Sequence, residues 1–112
     1  MSLEQRRQLM TAEAQNYVCE LEAFRKEQPK TAENLKDLHT RIGAALDNLM
    51  VTVDRNSHLY MDAWDSYEKE GKETLSYIDH RRSIYDIGLL LYDVYKELEK
   101  LSVFIAARVE DW

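Results

Sequence analysis

Between Tyr77 and Ile105 an apolar residue returns every seven positions, at Tyr77, Ile84, Leu91, Leu98 and Ile105, with Ile87, Val94 and Leu101 interleaved. Steps of three and four match the α-helical turn and lay one seam along a helix, whereas a strand buries alternate residues. The spacing predicts a long helix from about Thr74 or Ser76 nearly to the C-terminus. A helix of that length needs neighbours to cover its seam.

Those neighbours are written in the first two-thirds of the chain. Leu3, Met10, Tyr17 and Phe24, with Ala14 and Leu21 between them, form a second apolar stripe and predict a helix from about Leu3 to Glu27. Gln28-Pro29-Lys30-Thr31 ends it, because proline disfavours helical geometry at the residue before it; Thr31 can cap a new helix whose first turn carries Glu33. That helix shows Leu35, Leu38, Ile42, Ala45, Leu46, Leu49 and Val53 on one side, with Lys36, Asp37, Arg41 and Asp47 elsewhere. Asp54-Arg55-Asn56-Ser57 contains weak helix formers, and Ser57 as an N-cap would divide the element. The stripe nevertheless continues in phase through Tyr60, Ala63, Trp64 and Tyr67, which favours one continuous or kinked helix to about Glu70, with Gly71 as its stop. The expected class is all-α: residues 1–112 as one domain, an antiparallel helical bundle of three long helices, or four if the second breaks near Asn56.

Composition agrees. The 112 residues include three Gly, one Pro and 45% hydrophobic residues, enough for a core without disulfide or metal support. The single Cys19 cannot pair within the chain, which points to a reducing, cytoplasmic setting. The first thirty residues carry charges throughout, and the longest apolar run, Ile87 to Tyr92, is too short to span a bilayer, so neither a signal peptide nor a transmembrane helix is expected. A net charge of −6 disfavours unaided binding to nucleic acid or an anionic membrane and favours a basic protein partner. The acid is concentrated between 57 and 76, where Asp62, Asp65, Glu68, Glu70 and Glu73 face only Lys69 and Lys72.

Candidate chemistry is sparse. His58, Asp62 and Asp65 fall on one helical face and are the sharpest metal-binding constellation, but a solvated face in a chain 32% charged gives the same pattern. Helical carboxylate-bridged metal sites use Glu-x-x-His, whereas Lys36, Arg55 and Tyr77 precede the three histidines. His80, beside Arg81 and Arg82, reads as a structural imidazole near the seam. Cys19 lies among Glu20 and Glu22, which oppose a thiolate, and reads as a small core residue. Gly71-Lys72 lacks the rest of a phosphate loop, and no cofactor motif is present. Trp64-Asp65-Ser66 lacks the glycine of the WXG-type secretion substrates. The paired Glu-x-x-Glu and Glu-x-x-Asp helices of all-α nucleotide pyrophosphatases, and the Arg-to-His spacing of HEPN-type ribonucleases, are missing too.

The most informative segment is the middle of the last helix. From Ile84 to Tyr95 nearly every direction is apolar, and a helix apolar all round is normally surrounded. Asp79, Asp86 and Asp93 run beside Ile78, Tyr85 and Tyr92, and with Leu89 and Leu90 these residues form the candidate partner-binding strip. The expectation is a non-enzymatic interaction protein, an adaptor, assembly subunit or chaperone-like module, that binds a partner through helix faces and self-associates. Two alternatives remain open. One is a small acidic inhibitor that blocks a basic nucleic-acid-binding surface; the other is a helical metalloenzyme using His58, Asp62 and Asp65.

Overall fold

The computed structural model describes residues 1–70 and 75–111, with side chains throughout except at 67, 69, 70 and 75–78. It contains three helices, α1 (Leu3–Lys26), α2 (Ala32–Glu70) and α3 (Leu75–Asp111), and no strand among the described residues. The predicted all-α bundle is therefore observed, and α2 is continuous. Gly71 and Tyr77, assigned above as a helix stop and a seam residue, lie outside the described side chains.

Local chemistry sets the helix ends. Ser2 and Gln5 form a capping box at the start of α1: Ser2 Oγ accepts from the Gln5 amide at 3.1 Å while Gln5 Oε1 accepts from the Ser2 amide at 2.9 Å. At the start of α2, Thr31 Oγ1 accepts from the Asn34 amide at 3.1 Å, the cap anticipated from Pro29-Lys30-Thr31. Glu27, just past α1, receives two hydrogen bonds from Arg41 at 2.6 and 2.9 Å, which close the α1–α2 corner. The Arg41 guanidinium in turn holds the Glu27 carboxyl below its ordinary range.

The helices run up, down and up. Contacts of Arg6 with Asp62, Glu13 with Arg55 and Tyr17 with Thr52 show α1 antiparallel to α2. Pairs between Arg7 and Ser83 and between Arg25 and Glu97 show it parallel to α3. The Tyr60 ring lies beside that of Tyr85 and His39 approaches Ser102, so α2 and α3 are antiparallel along their length. With 24 residues, α1 spans ~36 Å, about two-thirds of the ~58 Å of the 39-residue α2.

The core is one seam from each helix. On α3 it is Ile84, Ile87, Leu91, Val94, Leu98 and Ile105, with Leu101 packed partly against it, as the heptad predicts. On α1 it is Met10, Ala14, Leu21 and Phe24, flanked by Leu3 and Tyr17. On α2 the seam is Leu35, Leu38, Ile42, Ala45, Leu49, Thr52, Asn56, Leu59 and Ala63. These residues keep strict three-four spacing, and each fully buried leucine or isoleucine contributes about 1.5–3 kcal/mol relative to exposure.

This seam corrects the sequence reading of α2. Tyr60 and Trp64, expected on the buried stripe, are 37% and 41% exposed. Thr52, Asn56 and Leu59 occupy the core instead. Across the segment of weak helix formers at 54–57, α2 continues with two side chains engaged across the bundle: Asn56 Nδ2 donates to the Ile84 carbonyl at 3.2 Å, and Arg55 donates to Glu13. Thr52 Oγ1 bonds both Tyr17 Oη at 2.9 Å and the Asn48 carbonyl. Cys19, expected in the core, is exposed, since it lies about 200° around α1 from the Tyr17 row.

Candidate functional site

Three helices form a triangle in section, and apart from Thr52 in the core and His80 near the α3 seam, the side chains that bond α1 or its C-cap Glu27 lie on one side of α2 and α3. On α2 these are Arg41, Arg55 and Asp62, at seven- or fourteen-residue intervals; on α3 they are Ser83 and Glu97, fourteen apart. Among the described residues no helix lies over the opposite side of the α2–α3 pair.

That uncovered side is apolar. From α2 it presents Met50, Tyr60, Met61 and Trp64, which are 54%, 37%, 60% and 41% exposed; from α3 it presents Tyr85, Leu89 and Tyr92 at 56%, 47% and 54%. A shallow groove runs between the two helices, with Asn56, Ile84 and Gly88 at its floor and Ser57, Tyr60, Met61, Tyr85 and Leu89 as its walls. It continues beside Trp64 and Asp65.

The aromatic side chains are held in place. The Tyr60 and Tyr85 rings sit 6.5 Å apart at 52°, a tilted pair across the groove. The Arg81 guanidinium lies 4.2 Å from the centre of the Trp64 ring, and the Lys96 ammonium 4.4 Å from that of Tyr92. Such cation–aromatic contacts restrict exposed rings and lower the entropy lost when a partner covers them.

The strip foreseen on α3 divides. Tyr85, Leu89 and Tyr92 belong to the uncovered face. Leu90 does not: it stands seven residues after Ser83 and seven before Glu97, both of which bond α1, and it packs against the core. Asp79, Asp86 and Asp93 are exposed, about 100° round α3 from the aromatic residues, on its outer edge. The Ile78 side chain lies outside the described residues. The α2 half of the face, Met50, Tyr60, Met61 and Trp64, was missed because those residues were assigned to the core stripe or passed over.

The metal candidates are spent differently. Arg6 Nη1 donates to Asp62 Oδ2 at 2.8 Å, and His58 Nδ1 donates to the Asp54 carbonyl at 2.9 Å. His58, Asp62 and Asp65 are all exposed, and among the described residues no group of three His, Cys, Asp or Glu side chains is placed to hold a metal ion. His80 Nε2 meets Glu4 Oε2 at 2.8 Å, and Glu4 also takes two hydrogen bonds from Arg7, one of them from Nε at 3.0 Å. Those bonds, Arg7 foremost, bring the Glu4 carboxyl down to about 2. This charged cluster ties the start of α1 to α3, away from the apolar face.

Among the described residues no helix is long and apolar enough to cross a membrane. No protein-family model matches the chain, and comparison with characterised proteins and with solved structures finds no match.

Proposed function

We propose that this protein is a non-enzymatic protein-interaction module that works by presenting the uncovered face of α2 and α3 to another protein surface. One observation carries the reading: Tyr60, Met61, Trp64, Tyr85, Leu89 and Tyr92, all large and apolar, stand 37–60% exposed side by side. Taking ~200 Å² for each side chain, they leave ~600 Å² in water, at the top of the range for the largest patch on a monomer. Ordered aromatic residues around a groove between helices also suit an incoming helix.

The test compares tagged wild-type protein with Leu89→Glu/Tyr92→Asp as baits in the native cell. Leu9→Asp, which alters an apolar residue 53% exposed on α1, is the control. Wild type and Leu9→Asp retain the same bound proteins, a tagged or untagged second copy included, while the double variant loses them with its helical circular dichroism unchanged. Retention by all three, or loss by the control as well, removes this face as the docking surface.

A further inference from the structure

Resting on the reading of this face as a docking surface, we infer that its occupant is a second copy of the chain. The two copies pack with α2 of each against α3 of the other, as a four-helix bundle around a two-fold axis parallel to the helices. The charges bordering the face select this arrangement. On α2 the bordering row, at seven-residue intervals, is Asp47, Asp54, Met61 and Glu68; on α3 the equivalent row is Arg82, Leu89 and Lys96. All seven residues are exposed, the acids on one helix and the bases on the other. Asp86 and Asp93 lie about 60° further round α3 and stay in water.

Two face-to-face packings are open to a symmetric pair. An axis perpendicular to the helices sets α2 on α2 and α3 on α3, so acid meets acid and Arg82 meets Lys96 of the other copy. An axis parallel to the helices sets the acidic row on the basic one. It also preserves height along the bundle. Tyr60 stands level with Tyr85 and His39 with Ser102, so by interpolation Asp47 stands level with Lys96. Rotation then brings Asp47 of each copy to Lys96 of the other, twice by symmetry. Because α2 and α3 already run antiparallel, every adjacent pair in the resulting four-helix core is antiparallel.

Area is consistent with a pair. The ~600 Å² of the six apolar side chains, with the bordering rows added, approaches the ~800 Å² that each partner gives to a stable interface. The packing would also surround the centre of α3, whose remaining sides are met by α1 and α2.

The full-length chain is measured by light scattering and sedimentation equilibrium across a concentration series. The expected mass is twice 13.2 kDa, falling to a single copy in Leu89→Glu with helicity retained. Asp47→Lys and Lys96→Asp each weaken association by about tenfold, and the double variant returns to within about threefold of wild type. A monomer at every concentration overturns the second copy yet leaves the docking reading to stand or fall on its own capture test. A dimer indifferent to Leu89→Glu overturns the second copy as the occupant of this face and likewise leaves the docking reading to its capture test. Tighter association of Lys96→Asp alone, or no recovery in the double variant, overturns the α2-on-α3 packing.

Discussion

Asn56 and Ile84 are joined across the α2–α3 seam: the Asn56 amide nitrogen donates to the Ile84 backbone carbonyl at 3.2 Å in a buried bond at the floor of the groove. Gly88, one turn beyond Ile84, leaves room for that amide, since a Cβ there would stand 3.0 Å from Asn56 Nδ2, closer than ordinary contact. Gly88→Ala is expected to gain about 1 kcal/mol of helix propensity but to displace an amide whose lost partner costs about 1–3 kcal/mol. The net effect is a loss of about 1 kcal/mol. In an Asn56→Ala background the same substitution becomes stabilising, and a double-mutant cycle by urea unfolding reads the change of sign.

The other half of the same amide predicts the opposite response. Asn56 Oδ1 is buried and has no hydrogen-bond partner among the described residues. Asn56→Leu removes that desolvated oxygen and adds apolar contact at a seam position, so it is expected to raise stability by about 1–2 kcal/mol. A lower urea midpoint for Asn56→Leu would show that the amide is satisfied in solution.

These seam residues mark where the sequence stops being legible. Wherever the heptad positions are apolar, as at Ile84, Leu91 and Leu98, periodicity gives both the helix and its buried side. Thr31 is equally readable, because capping is local chemistry. On α2 the period passes through Thr52 and Asn56, and a reading keyed to hydrophobicity moves sideways to Val53, Tyr60 and Trp64, which border the seam. The site suffers from the same shift: Tyr60 and Trp64 lay hidden in a supposed core. On α3, where nearly every direction is apolar, Leu89 and Leu90 differ only in which of them faces α1. That is a tertiary fact, fixed by Arg7 with Ser83 and Arg25 with Glu97.

The buried hydroxyl of Thr52 gives a third expectation. It bonds Tyr17 Oη at 2.9 Å and receives Arg55 Nη2 at 3.2 Å, so it links the middle of α1 to α2. Thr52→Val, nearly equal in shape, is expected to cost about 1–2 kcal/mol, and Tyr17→Phe about 1 kcal/mol. Together they cost less than their sum, because each removes the same bond; additive losses in chemical unfolding would exclude the link.

Core and docking face are separable by concentration. Leu91 is fully buried, and Leu91→Ala is expected to cost about 2–5 kcal/mol at every protein concentration. Tyr85→Ser, at 56% exposure, is expected to change the intrinsic stability of one chain by less than about 0.5 kcal/mol. It lowers only that part of the melting temperature that rises with protein concentration. A concentration-independent loss for Tyr85→Ser as large as that for Leu91→Ala would place Tyr85 in the core.

Acid loosens the charged cluster at the start of α1. The Glu4 carboxyl titrates at about 2 in the fold against an ordinary 4.5, held down first by its hydrogen bonds from Arg7 and further by the facing charges of Arg7 and His80. The folded state therefore prefers the ionised form. Its stabilisation is fully present above about 4.5 and is lost as pH falls through that value toward about 2. Glu27, lowered by Arg41, contributes in the same direction at the other end of α1. A carboxyl-detected NMR titration is expected to place the Glu4 midpoint near 2, and Arg7→Met to return it toward 4.5. Glu4→Gln removes part of the acid loss seen in wild type and leaves the neutral-pH fold helical. A wild-type Glu4 midpoint near 4.5 would mean that Arg7 and His80 do not hold it, and that the first turns of α1 are docked without the Glu4 cluster, by Leu3, Met10 and the Arg6–Asp62 pair.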